Sequence, residues 1–391
     1  MLKYKSTIFS DENDIYVALQ SNRAKLSPSS LRRLAFRRGI IYPSTLDRDE
    51  LISRISDLPF SYSQLQELTN KLTPKINRDQ YSVKRITGDF ELSKINDVVD
   101  KVIESRPRFM GAENITHSKS IQSYYIDVDY TEFDFTRGKY QQKKRHGGYI
   151  QFLEKNGYIS IQFTYTKRIQ EILDSVIQVY RDTVSSDISV HNIDLSTIVD
   201  AGLRNRFMVN IYDMATPFLF IELEKVRVSK VHSILDASLD ESKSTADLDN
   251  ELLDYEDSTD DLLDNTDDRE YSIDNVQFDG SSLNDAEEVN KLCDDDFYRS
   301  RIKWKSKALN ITGKPIITFE LAFDDKYQAK DLKFRILGKE PIDGKGGKEA
   351  VDGADFDLVM RELEDIIFGS LDGVLTEHGS LELAQKDVSN A

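Results

Sequence analysis

The chain has 391 residues, with 69 acidic and 52 basic side chains and a formal net charge of −17. Hydrophobic residues at 39% and aromatic residues at 10% supply enough apolar surface for packed cores, which excludes wholesale disorder. No run of 18 apolar residues occurs and the first ten residues lack the apolar core of a signal peptide, so we expect a cytoplasmic protein without membrane contact. The single cysteine, Cys293, excludes an internal disulfide and a multi-cysteine zinc site.

The negative charge is concentrated in one segment, residues 236–296. This segment has 23 acidic and three basic residues, a net charge of −20, so the rest of the chain carries +3. Its apolar residues occur only in isolated pairs, which cannot offset the entropy of ordering. We therefore predict an acidic disordered linker or insertion over residues 236–297, and the acidic total says little about the partners of the folded parts.

Residues 1–110 are predicted to form a helical module with a local basic excess. Up to Arg85 there are 15 basic and nine acidic residues. Ser27 followed by Pro28 is a typical helix start, and Gly39 can end that helix in a left-handed conformation. Asp47 and Glu50 have the spacing of a capping box, which predicts a second helix, and further helices are predicted from residue 63 and over 92–103.

Residues 111–235 are predicted to form an α+β domain with a mainly antiparallel sheet and helices on one face. Alternating residues indicate a strand around 124–130, and Asn156-Gly157 between two apolar runs predicts a hairpin. Helices are predicted over 167–181 and 195–212, followed by a strand over 218–228. After the acidic segment, strands at 298–310, 316–323 and 331–337 and a helix over 355–371 are predicted to complete this domain within residues 298–375, leaving 376–391 as a flexible tail.

The segment 26–56 resembles the SAP module, a small helix, extended segment, helix unit known for binding DNA. The residues that carry the resemblance are Leu31, Leu34, Gly39, Ile40, Asp49, Glu50, Leu51 and Ile55. The resemblance implies that the first helix lies against the phosphate backbone through Arg32, Arg33, Arg37 and Arg38. The linker Tyr42-Pro43-Ser44-Thr45-Leu46 departs from the shorter glycine-containing turn of that family. The alternative interpretation is a solvated helix face in a structural or protein-binding module.

A second basic pattern lies in the predicted strand after the acidic segment. Arg299, Arg301, Lys303, Lys305 and Lys307 recur at period two, which would place five cations on one face and Ile302 and Trp304 on the other. Such a stripe can bind anions, and the alternative is a charged edge strand that blocks unwanted pairing. A third group, Arg137, Lys139, Lys143, Lys144, Arg145 and His146, is predicted to lie in a solvated loop.

Signatures of catalysis are sparse. Asp127 and Asp129 lie on one strand face and could hold Mg²⁺, but the glycine-serine loop of a nucleotidyltransferase does not precede them. Glu320 with Asp331 and Lys333 loosely meets the spacing of a metal-dependent nuclease. Cys293 is followed by three aspartates, which should raise its pKa and make it a poor nucleophile. We predict no catalytic residue, no cofactor and no small-molecule substrate.

These patterns favour a non-enzymatic nucleic-acid-associated binding or adaptor subunit of a larger assembly. The acidic segment is hypothesised to compete with nucleic acid for the basic surfaces. One alternative is a divergent metal-dependent nuclease or nucleotidyltransferase, and another is a purely protein-binding subunit that uses the acidic segment. The chain also has a general resemblance to accessory proteins of prokaryotic antiviral systems, which implies the latter kind of role, although no motif carries it.

Overall fold

The computed structural model describes most of the chain, and its fold is α+β as predicted. The described residues are 11–20, 26–61, 63–65, 80–105, 113–133, 143–213, 216–231, 275–280, 283, 286–341 and 347–389. They divide into two compact units: Met1–Asp79, Asp89–Glu154 and Thr166–Asp187 belong to the first, and Gln80–Gly88, Lys155–Tyr165 and Ile188–Ala391 to the second. None of the helices in these ranges has a stretch that is long and apolar enough to cross a bilayer.

The first unit begins with three short helices: α1 (Glu12–Gln20), α2 (Pro28–Phe36) and α3 (Arg48–Ser56). The predicted caps are confirmed, because the Ser27 side chain accepts from the Ser30 amide and both bonds of the Asp47–Glu50 capping box are present. Apolar side chains of all three helices form one buried cluster, to which Leu65 also belongs. The helix predicted from residue 63 is described only over 63–65; residues 66–79 lie outside the described ranges.

The rest of the first unit is a three-stranded antiparallel sheet with two helices. In chain order these are α4 (Ile95–Ser105), β2 (Asn114–Lys119), β3 (Ser123–Phe133), β4 (Lys143–Lys155) and α5 (Lys167–Thr183), with strand order β2-β3-β4. Phe90 stacks on Phe152 of β4 and on Tyr180 of α5, with ring centroids 6.0 and 4.3 Å away. The helices thus cover the face of the sheet that carries the alternating apolar residues.

The second unit is a larger antiparallel sheet with order β5-β1-β11-β10-β9-β7-β8, in which β6 also pairs with β1. Its strands are β1 (Tyr81–Gly88), β5 (Tyr158–Thr164), β6 (Ile188–His191), β7 (Phe218–Lys230), β8 (Asn275–Asp279), β9 (Phe297–Ala308), β10 (Ile316–Asp325) and β11 (Lys330–Glu340). Its helices are α6 (Ala201–Asp213), α7 (Glu287–Asp294) and α8 (Gly353–Ser389).

Helices α6 and α8 pack on one face of this sheet. Phe207 of α6 contacts Phe323, with ring centroids 5.9 Å apart, and Trp304 stacks on Phe319 at 5.2 Å. Phe356 of α8 packs edge-on against Tyr81 of β1 at 5.3 Å. In β7, β9, β10 and β11 the buried apolar residues therefore point to the helices, and the polar residues that alternate with them form the opposite surface, which we call the polar face.

The structure corrects four parts of the predicted organisation. The helical stretch 1–110 contains a strand, β1, which pairs with β5, β6 and β11, and an additional helix, α1. Lys143 to His146 lie in β4 rather than in a loop, while Arg137 and Lys139 are outside the described ranges. The predicted flexible tail continues α8 as far as Ser389. The predicted helix over 195–212 begins only at Ala201.

Part of the range 236–297, which was predicted to be disordered, forms regular secondary structure. Residues 275–279 form β8, which pairs with β7, and residues 287–294 form α7, whose Val289 is completely buried. Residues 232–274 lie outside the described ranges. Ser229 of β7 pairs with Asn275 of β8, so the described residues before and after this range are neighbours in the sheet. Strand β7 precedes the segment and β9 follows it, and the two pair along most of their length.

Candidate anion-binding face

The arginine helix α2 uses part of its basic side chains for internal contacts. Arg32 donates from Nε to the carbonyl of Pro43 at 3.2 Å and from Nη2 to the carbonyls of Ser44 and Leu46, both at 2.8 Å. These three bonds hold the part of the linker from Pro43 to Leu46 against α2. The predicted phosphate contact of Arg32 is therefore replaced by a structural role.

The guanidinium of Arg38 also makes contacts within the helical module. Its guanidinium donates to the carbonyl of Pro59 and lies over the ring of Phe60, 4.1 Å from the centroid. Burial lowers the pKa of Arg38, although the nearby Tyr42 opposes this shift. Arg33 and Arg37 have exposed side chains. Of the four arginines, these two are the ones with open access to solvent.

The predicted alternation in β9 is confirmed, with one exception. Arg301, Lys303, Lys305 and Lys307 are half-buried on the polar face, whereas Ile302 and Trp304 are buried on the other. Arg299 breaks the pattern because the β7–β9 register shifts between Arg227 and Val228, so that Val228 pairs with Arg299.

The predicted site residue Arg299 is only 6% exposed and is not part of a surface stripe. Its two terminal nitrogens donate to the side-chain oxygens of Asn205 at 3.2 Å and of Asn290 at 3.0 Å. These bonds tie β9 to α6 and α7. Arg299 is therefore a structural residue of the second unit, and its assignment to an anion-binding face is wrong.

Strand β9 is also not an edge strand, since it lies between β7 and β10. Both neighbours supply carboxylates to its cations. Lys303 lies 2.8 Å from Glu224, and Lys305 lies 2.7 Å from Glu224 and 3.0 Å from Glu222. Hydrogen bonds to Glu224 and Glu222 raise the pKa of Lys305 despite burial, and burial of Glu224 is outweighed by its bonds to Lys303 and Lys305, which lower its pKa. The charges of Lys303 and Lys305 are therefore balanced by these two carboxylates.

In the other half of the polar face, cationic side chains surround a small pocket. Arg301 pairs in register with Arg227 on β7 and with Ala322 on β10, and Ala322 pairs with Lys333 on β11. Because residues in register project from the same face, the small Ala322 leaves space between longer cationic side chains. The resulting pocket has a volume of about 70 Å³. We call this pocket the arginine pocket. Its cationic side chains are Arg227, Arg301, Lys326, Lys333 and Arg335.

Two carboxylates, Glu320 and Asp324, also line the arginine pocket. Glu320 is 7% exposed and bridges two guanidiniums: Arg301 donates to Oε1 from Nε at 2.7 Å, and Arg335 lies 3.4 Å from Oε2. Asp324 accepts from Lys333. Arg227 donates from Nη2 to Gln277 at 3.1 Å. These hydrogen bonds fix the side chains of the pocket wall in place.

The alternative metal sites do not assemble among the described residues. Asp127 and Asp129 are exposed on β3. Partial desolvation of the Asp127 carboxyl group and the nearby charge of Asp129 raise the pKa of Asp127. Glu320 and Lys333 both line the arginine pocket, but Glu320 already binds two arginines, and the register pairs Glu320 with Arg335 rather than with Asp331. In these ranges, no group of three or more histidine, cysteine or carboxylate side chains could hold a metal ion.

Cys293 behaves as the sequence predicted, but for a different main reason. Burial raises the pKa of its thiol, and Asp294 adds to this effect, whereas Arg299 and a hydrogen bond to Asn205 oppose it. The Sγ atom lies 3.5 Å from the Asn205 side-chain oxygen. A thiol in this environment is a weak nucleophile.

Sequence reasoning missed the side chains on other strands that pair with the cations of β9 or line a pocket with them. Glu222 and Glu224 recur at period two, which is the same signal that identified the lysines opposite them. Arg227 and Arg335 had no comparable signal, because only the strand order brings them to one pocket. Comparison of the sequence with protein-family models and with curated proteins finds no match to either.

Proposed function

We propose that this protein is a non-enzymatic nucleic-acid-binding subunit of a larger assembly, and that the arginine pocket is its main contact with phosphate groups. The observation that carries the proposal is that three arginines and two lysines from four segments of the second unit line one concave site on the polar face. Fixed guanidinium groups are well suited to phosphate oxygens because they donate two parallel hydrogen bonds in a rigid geometry.

The distribution of charge over the polar face supports a localised contact. Lys303 and Lys305 are neutralised by Glu222 and Glu224, so they add little attraction for a polyanion. The exposed Arg33 in α2 and Arg37 directly after it provide a second basic surface on the SAP-like module. Contacts of this kind neutralise phosphates without reading bases, so we expect binding that depends strongly on salt and weakly on sequence.

The test is a gel-shift titration of the full chain with single- and double-stranded DNA and RNA at two salt concentrations, with Mg²⁺ and with EDTA. We expect a complex that is insensitive to EDTA and weakens steeply with salt. The double variant Arg227→Gln/Lys326→Gln should flatten the salt dependence. The matched control is Lys225→Gln, which removes a charge from the same strand outside the pocket wall, where Lys225 pairs with Asp279 at 3.1 Å.

Two results would contradict the proposal. Cleavage of the nucleic acid that requires Mg²⁺ and is abolished by Asp127→Ala would favour the metal-dependent enzyme. Absence of binding by the full chain, and equally by a chain without most of its acidic segment, would favour the protein-binding subunit.

A further inference from the structure

The segment that follows β11 brings one lysine amine onto the polar face. Two backbone hydrogen bonds of 2.8 and 2.9 Å between Lys339 and Glu349 hold this segment against β11. The amine of Lys348 donates to the hydroxyl of Thr318 on β10 at 3.2 Å. We propose that Lys348 is the preferred site at which this protein accepts an activated acyl group, which acyl phosphates and acyl thioesters both supply. This modification does not depend on nucleic-acid binding.

The aliphatic stem of Lys348 crosses β11 at a glycine. A Cβ atom at Gly338 would lie 2.9 Å from Cγ of Lys348 and 2.7 Å from the carbonyl oxygen of Glu349. Gly338 of β11 and Lys305 of β9 are the register partners of Thr318 on its two sides. The stem therefore crosses one strand at a position that needs glycine, and the amine reaches the next strand. Lys348 is nevertheless exposed, so a small reagent in solution can reach its amine.

The hydrogen-bond partner of Lys348 is a hydroxyl rather than a carboxylate. An amine attacks a carbonyl group only in its unprotonated form, whereas a carboxylate partner stabilises the protonated form. Lys339 lies 2.9 Å from Asp355, and hydrogen bonding to this carboxylate raises the pKa of Lys339. Lys305 lies 2.7 Å from Glu224, which raises its pKa in the same way. Within the part of the chain that the structure describes, Lys348 forms no such ion pair.

Neighbouring charges add to this difference. Lys303 and Lys305 lie two residues apart on the same face of β9. Partial desolvation of the amine lowers the pKa of Lys348, and the positive charges of Lys303 and Lys305 lower it further. Glu340 and Glu224 oppose this shift without cancelling it. A lysine in such surroundings is less protonated near neutral pH and is therefore a better nucleophile than an ordinary surface lysine.

The reaction is an acyl transfer that needs no further reactant. The lone pair of the unprotonated Lys348 amine attacks the carbonyl carbon of the donor and forms an N–C bond. The C–O bond to phosphate, or the C–S bond to the thiol, breaks, and its electron pair leaves with the phosphate or the thiolate. The proton lost from the nitrogen passes to water. The product is a neutral amide, which removes one positive charge from the polar face.

The test treats the full chain with acetyl phosphate and, in a separate arm, with a simple acetyl thioester. Mass spectrometry of peptides then gives the initial acylation rate of each lysine. We expect Lys348 to react about fivefold faster than Lys314 and Lys339, a factor at the upper end of the free energy of an exposed ion pair. Lys314, which is exposed between β9 and β10, is the control for accessibility. Lys339 is the control for ion pairing.

Two variants test the cause of the preference. Lys303→Gln removes a neighbouring positive charge, so it should slow acylation of Lys348 about twofold near neutral pH and move the rise of its rate to higher pH. Lys305→Gln is the second variant if Lys303→Gln does not fold. Asp355→Asn removes the ion-pair partner of Lys339, so it should speed acylation of Lys339 and leave the rate at Lys348 unchanged.

Equal rates at Lys348 and Lys314 in both arms would overturn the proposal. A rate at Lys348 that stays the same at every pH in Lys303→Gln and in Lys305→Gln would overturn it as well. A preference for Lys348 in only one arm would support the site and identify the class of donor. Because no nucleic acid is present in these reactions, the proposed function stands or fails separately.

Discussion

The fully buried carboxylate of Glu364 on α8 accepts a hydrogen bond of 2.6 Å from the hydroxyl of Ser160 on β5. The same oxygen accepts a bond of 3.0 Å from Gln162. Two cations complete the surroundings, with Arg85 3.6 Å and Lys155 3.3 Å from the carboxylate. One buried negative charge thus joins α8 to β1 and β5 within the second unit.

Glu364→Gln is expected to lower the free energy of unfolding by about 3 kcal/mol, because it removes the buried one of the two carboxylates beside Arg85 and Lys155 while keeping the side-chain shape. Urea unfolding at neutral pH measures the change. The control is Asp365→Asn, since Asp365 is 51% exposed yet lies within 3.3 Å of the same two cations. Its loss should cost less than about 1 kcal/mol. Equal losses would contradict a special role for the buried carboxylate.

The ion pairs of Glu224 predict how stability depends on pH. The folded state lowers the pKa of Glu224 below its ordinary value of 4.5, so the carboxylate contributes stability that is present above that value. The contribution is lost as the pH falls through the lowered pKa. Glu224→Gln should therefore destabilise the protein near neutral pH, and the difference from the wild type should shrink below about pH 4. Urea unfolding across pH 3 to 7 tests this, and a constant difference would contradict it.

Two adjacent arginines on α2 should respond differently to the same substitution. Arg32→Gln removes three hydrogen bonds to the linker carbonyls and is expected to destabilise the helical module by about 1–3 kcal/mol. Arg33→Gln should leave stability within about 0.5 kcal/mol, because the side chain is exposed, and should weaken binding to nucleic acid at low salt. Thermal unfolding and gel shifts of both variants make the comparison. A larger stability loss in Arg33→Gln would refute the assigned roles.

Shortening the acidic segment should tighten binding to nucleic acid if the segment competes for the basic surfaces. Residues 236–270 can be replaced by a short glycine-serine linker, because Ser229 and Asn275 are neighbours in the sheet and the cut spares β8 and α7. We expect higher affinity and a steeper salt dependence in a gel shift. Deletion of the whole range 236–296 is the contrasting variant, and it should destabilise the second unit because it removes the buried Val289. Unchanged affinity of the shorter deletion would exclude competition.

Local signals predicted local structure well. The cap at Ser27, the capping box at Asp47 and the alternation in β9 depend on neighbouring residues, and all three are present. Which carboxylates pair with the lysines of β9 depends instead on the order of the strands in the sheet. Glu224 and Lys303 are far apart in the sequence, and nothing in either segment indicates that β7 and β9 are neighbours.

Strand β1 was missed for a related reason. Its buried residues include the consecutive Ser82 and Val83 and then Ile86, so the alternation that identified β3 and β9 is absent. The chain is nevertheless extended there because β5 and β6 supply hydrogen-bonding partners. The roles of Arg32 and Arg38 were equally hidden, since each depends on the position of a carbonyl at least eleven residues away.

The pairing of Tyr81 with Phe334 has a consequence for biosynthesis. The Ser82 hydroxyl donates to the carbonyl of Leu332 at 2.7 Å, and these residues are 250 positions apart. A ribosome adds about 5–20 residues per second, so roughly 12–50 s pass between the appearance of β1 and that of its partner. Throughout this time, the part of β1 around Tyr81 that β11 will cover has no native neighbour on that edge, although β6 can already pair with Arg85 to Gly88. The sheet of the second unit is therefore completed only after about 250 further residues have followed β1 out of the ribosome.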